Sequence, residues 1–151
     1  MRNDNLALTL DVSRWSGAVS PLPAYDLYLR GDPPVSGSQV ADAFGMLAHY
    51  TTRDAYRLIQ QAGCIGLGLG CWLTPTGYAA CMAPYNLGLS SPRDIGLLID
   101  VRDMPLWGPG MSAPSGLHSL VWRGGAIEFF SPQSLGLERA RLVPICGDCH
   151  R

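Results

Sequence analysis

The sequence predicts an α+β domain built on a mostly antiparallel sheet with a few short helices. Three observations carry that expectation. Helical patterns come early in the chain and strand patterns gather late, where a doubly wound fold would alternate them. Apolar residues make up 47% and charged residues only 15% of 151 positions, enough for one well-buried core in a single domain. Eighteen glycines and twelve prolines cut the chain into short elements.

Residues 1–40 differ from the rest and read as an arm or linker. Ser20-Pro21-Leu22-Pro23 and Gly31-Asp32-Pro33-Pro34-Val35-Ser36-Gly37-Ser38 have turn and linker chemistry, and the alternating Tyr25–Leu29 between them is too short to form a domain. The core is expected over residues 41–145, with 146–151 as a tail. Gln39–Phe44 reads as a short helix capped by Ser38, and Met46–Tyr50 as a strand. Thr52 caps a helix from Arg53 to about Ala62, with Ala55, Leu58, Ile59 and Ala62 on one face and Gly63 as its stop. Cys71-Trp72-Leu73-Thr74 is a short strand, followed by a helix from Pro75 through Tyr78 to Met82. Ile95–Val101 is apolar enough to be a central strand. Pro105–Gly116 is expected as a loop. Leu117–Trp122, Gly124-Gly125 and Ala126–Phe130 read as a hairpin, and Arg141–Ile145 as an edge strand, because Pro144 cannot donate to a ladder.

Charge and composition exclude several function classes. A net charge of −1 and a pI near 6.2 provide no bulk attraction to nucleic acid or anionic membrane. No apolar run approaches the ~20 residues that cross a bilayer. The first residues are too acidic for a signal peptide. All eleven basic residues are arginine, which excludes Schiff-base chemistry, a P-loop and a lysine base. Glutamate occurs only at 128 and 138. The five cysteines are too few and too irregular for a complete disulfide framework, and the central three read as small hydrophobes. Cys146-Gly147-Asp148-Cys149-His150 has the haem-attachment spacing, yet it falls short of a zinc ligand set and reads as a tail outside the active site, so no metal is expected.

Gly66-Leu67-Gly68-Leu69-Gly70 is not a dinucleotide loop, because a helix precedes it and a strand follows. The three histidines form neither a hydrolase triad nor a metal cluster. A distributed constellation is sharper: His49-Tyr50-Thr51 ending a strand, the helix after it and Gly63; then Trp72-Leu73-Thr74-Pro75 with Tyr78; then Glu128 within Gly124-Gly125-Ala126-Ile127-Glu128-Phe129. Each residue alone has an ordinary structural reading. A carboxylate between Ile127 and Phe129, however, needs a cleft or a partner.

Taken together and in this order, these residues resemble the ADP-ribosyltransferase superfamily, in the branch of diphtheria toxin and the poly-ADP-ribose polymerases. The resemblance covers roughly Met46 to Ile145. It implies a split, mostly antiparallel sheet and NAD as substrate, with Glu128, His49 and Tyr78 as catalytic residues. His49, Tyr50, Thr51, Trp72, Thr74 and Tyr78 would line the cofactor cleft. Cleavage of the nicotinamide–ribose bond passes through an oxocarbenium-like state that Glu128 would stabilise, with Trp72 and Tyr78 as walls for the nicotinamide ring. His49 and Thr51 would meet the adenosine ribose, and the Tyr50 backbone the nicotinamide amide. Trp72 stands where the family usually has tyrosine, and Ala126 replaces the second acidic residue of arginine-modifying relatives.

The resemblance further implies a toxin or effector, secreted or delivered into a target cell without a signal peptide, or else cytoplasmic. Its partners would be NAD, a protein or small-molecule acceptor and a cognate immunity protein, with no membrane. An NAD glycohydrolase using the same cleft and a non-catalytic interaction module are the alternatives.

Overall fold

A computed structural model describes residues 15, 17–68, 70–75, 95–111 and 127–143. The expected helix around Tyr78, the hairpin arm Leu117–Trp122, His118 and the cysteine-bearing tail lie outside the described residues.

Among the described residues the fold is α+β, and every strand ladder is antiparallel. Helices α1 (Ala24–Leu29), α2 (Gly37–Phe44) and α3 (Arg53–Ala62) come early. Strands β1 (Val35–Ser36), β2 (Leu47–Thr51), β3 (Cys64–Ile65) and β4 (Cys71–Leu73) are interleaved with them. Strands β5 (Ile95–Ile99), β6 (Pro105–Met111), β7 (Ile127–Ser131), β8 (Leu135–Gly136) and β9 (Ala140–Val143) follow. One sheet has the order β1-β6-β7-β4, a second β2-β5-β9, and β3 pairs with β8. Among the described residues one bridge joins the two larger sheets: the Ala48 N–H donates to the Thr74 carbonyl at 2.7 Å and the Thr74 N–H to the Ala48 carbonyl at 2.9 Å.

Local chemistry explains α3. The Thr52 side chain accepts from the Ala55 N–H at 3.1 Å, and Gly63 closes the helix at φ 77°, a conformation that a side chain disfavours. Its inward face differs from the expectation. Tyr56 and Ile59 pack on the core, whereas Leu58 is 65% exposed and Ala62 is exposed. The apolar positions are spread around the helix, and the sheet touches only one side of it. Helix α2 starts two residues earlier than expected, with Ser36 rather than Ser38 as its cap.

Two expectations fail outright. The stretch read as a loop from Pro105 contains β6, which pairs with β1 and β7. Its prolines are compatible with the ladder because Pro105 is the first strand residue and Pro109 falls in a register irregularity between Trp107 and Gly110. The stretch read as an arm is built into the fold through Trp15, which lies in the main core, and again from Ser20 onward. Ser20 bridges Gly110, α1 packs on β6 and β7, and Trp107 Nε1 donates to the Asp32 carbonyl at 2.7 Å. Gly110 permits this approach, since a Cβ there would collide with the Leu22 carbonyl and the Ala24 N–H. Strand β7 has β6 and β4 as its described neighbours.

Alternation along β4 and β7 divides the apolar residues between two faces. Cys71, Leu73 and Phe129 join Val40, Leu47, Leu97, Ile99 and Leu106 in the main core. Trp72 and Phe130 point the other way, toward α1, which buries Ala24 and Leu27 there. No α1 residue belongs to the main core.

Candidate functional site

The Trp72–Phe130 register places Trp72, Thr74, Phe130 and Glu128 on the α1 side of the sheet. Thr74 directly follows β4, and its hydroxyl donates to the Ile127 carbonyl at 2.7 Å, tying the two strands together beside Glu128. Trp72 is 41% exposed and its ring centroid lies 4.8 Å from Phe130 and 5.6 Å from Tyr25. Tyr28 completes the cluster against Phe130 and Trp107.

Glu128 is only 7% exposed, and its carboxyl makes no hydrogen bond among the described residues. Its cross-strand partner is Gly110, the position on which the start of α1 rests. Burial, and secondarily the negative charge of Asp26 on α1, push the Glu128 carboxyl up to about 8. The described arginine ion pairs lie elsewhere, at Arg30–Asp32, Arg57–Asp54 and Arg102–Asp42. Burial therefore favours the protonated form of Glu128 over the ionised one.

His49 lies on the other side. The Ala48–Thr74 bridge puts Ala48 on the Glu128 face, so alternation along β2 turns His49 and Thr51 toward the main core. His49 Nδ1 lies 3.0 Å from the Trp72 carbonyl and 3.4 Å from Cys71 Sγ. A carbonyl can only accept, so Nδ1 carries the proton in that bond. Donation to a ribose, the role implied by the resemblance, would require the imidazolium. The pair is no nucleophilic dyad, because Cys71 is fully buried and burial pushes its thiol up to about 12.

The structure thus brings together Trp72, Thr74 and Glu128, with Tyr50 sharing their parity through Ala48, and turns His49 and Thr51 to the opposite face. Tyr78 lies outside the described residues. The sequence reading missed Asp26, Tyr25 and Tyr28. Their only signal was an acidic residue amid tyrosines in the proline-flanked segment taken for an arm. Among the described residues no group of three or more His, Cys, Asp or Glu side chains is placed to hold a metal ion, and no helix is long and apolar enough to cross a membrane. Comparisons with protein-family models, curated proteins and solved structures gave no match.

Proposed function

We propose that the Glu128 face binds NAD and cleaves its nicotinamide–ribose bond, passing ADP-ribose to a protein or small-molecule acceptor. The observation that carries this reading is one buried carboxyl, Glu128, sharing a sheet face with the exposed ring of Trp72 and the hydroxyl of Thr74. In the reaction the ribose C–N bond breaks, and its electron pair leaves with nicotinamide, which becomes neutral. The oxocarbenium-like carbon then bonds to the acceptor's nucleophilic atom, whose proton passes to solvent. Glu128 acts in this scheme as a carboxylate beside the developing positive charge. Its raised pKa means that turnover increases with pH toward about 8. Stacking of nicotinamide on Trp72 supplies orientation.

Nicotinamide release by the purified full chain is the test. Glu128→Gln is expected to lower it roughly a hundredfold or more, while Glu138→Gln retains it. Normal turnover in Glu128→Gln, or no release by the wild type between pH 6 and 9, overturns the reading. Tagged NAD then separates transfer to an acceptor from hydrolysis.

A second reading, a non-catalytic interaction module, is favoured by one observation: α1 covers Glu128 while His49 faces away from it. On this reading the chain neither binds nor consumes NAD.

A further inference from the structure

The geometry points to α1 as a proton-latched cover: it stays docked while Glu128 beneath it is a neutral acid and is released when that carboxyl ionises. This inference goes beyond the proposed reaction and does not depend on catalysis. It rests on what lies on each side of the contact.

Glu128 is more than nine-tenths buried, with no hydrogen bond and no arginine partner among the described residues. Such placement favours the neutral acid over the carboxylate. Among the described residues no cation stands beside it. Helix α1 presents Tyr25, Asp26 and Tyr28, and Arg30 at its end is turned to Asp32. Strand β6 carries no titratable side chain, and β4 places only Trp72 and Thr74 on this face. Tyr50 reaches the same face from β2 by parity. Ionised Glu128 would therefore be a buried charge facing a second negative charge on the element that buries it.

That element is built to leave without unfolding the rest. Six residues cannot hold a helix alone. Its capping residue, Pro23, makes no side-chain capping bond, and turn segments rich in proline and glycine flank it. The main core lies on the other face of the sheet and contains no α1 residue. Elements of this kind open at lower free energy than the global transition. Departure of α1 restores Glu128 to water and to an ordinary carboxyl affinity for protons. Linkage then gives the sign: the docked form binds the proton more tightly, so docking weakens as pH rises from about 4.5 to about 8 and levels off above. The open fraction grows by up to about tenfold per pH unit across that window.

Amide-exchange protection factors, corrected for intrinsic exchange, test this on the full chain. The Arg30 and Gly31 amides, bonded to the Asp26 and Tyr28 carbonyls at 3.0 and 3.1 Å, report on α1. Their protection is expected to lie at least tenfold below that of the β5 amides and to fall by up to about tenfold per pH unit between pH 6 and 8. Glu128→Gln should remove the pH dependence. Asp26→Asn, at an exposed position, should leave α1 more protected than wild type at pH 8, because it removes the charge that repels the carboxylate. Protection in α1 equal to that in β5 at every pH would overturn the inference, since α1 would then open only by global unfolding. So would the same pH dependence in Glu128→Gln, or no gain in Asp26→Asn.

Discussion

Phe129 and Phe130 are neighbours in sequence, equally buried, and belong to different environments. Phe129 packs against Trp15 and Phe44 in a core assembled from α2, β2, β4, β5 and β6. Phe130 meets Tyr25, Tyr28 and Trp72 under one six-residue helix. The first face is supplied by several elements and is mainly apolar, with His49, Thr51 and Ser131 among its polar members. The second is covered, among the described residues, by α1, is rich in aromatic rings with polar tips, and carries the buried carboxyl of Glu128. A fully packed core excludes an unpaired acid; a face on which a short helix docks can hold one if that helix yields, as proposed for α1.

Removing each ring in turn should show whether the two faces are energetically distinct. Phe129→Ala is expected to lower global stability by about 3–5 kcal/mol in chemical denaturation, the usual loss for a buried aromatic ring. Phe130→Ala should instead abolish protection in α1 while β5 still unfolds cooperatively. Equal global losses from both variants would erase the distinction.

The next effect belongs to Glu128 alone. Its pKa is raised in the folded state, so the stability it contributes is fully present below about 4.5 and is lost as pH rises toward about 8. Denaturation midpoints of the wild type should fall across that window by up to about 1.4 kcal/mol per pH unit, and those of Glu128→Gln should stay flatter. Parallel pH profiles would show that the carboxyl is solvated on its face.

A smaller effect sharpens the proposed site. If NAD binds only on the Glu128 face, Trp72→Ala should weaken binding by about 0.5–1.5 kcal/mol in a calorimetric titration. His49→Ala, on the other face, should leave affinity within a few-fold. A larger loss from His49 than from Trp72 would mean that the cleft runs around the sheet junction and uses both faces.

Legibility in the sequence followed the range of the interaction. Helix α3 was readable because Thr52, the residues after it and Gly63 form a contiguous signal. The start of β2, the run of β5 and the place of Glu128 in β7 were readable for the same reason. Strand β6 was not, because Pro105, Gly108, Pro109 and Gly110 read as a loop until β1 and β7 hold them in register. Helix α1 was not, because its reason to exist is a sheet face assembled from residues some eighty to a hundred positions away. Of the site, Trp72, Thr74 and Glu128 were found by type and order, whereas Asp26 was invisible without the docking of α1.

Residue chemistry alone determined that the chain lacks lysine, has two glutamates, and must place one of them in an apolar strand. It also determined that successive residues of that strand oppose one another. Which face received the large core, and which received α1, was decided by tertiary structure. Alternation specifies only that neighbours diverge; the environment each one enters depends on distant segments folding against it. For the same reason Glu128 and His49, joined in one constellation by their order in the chain, lie on opposite sides of the sheet junction.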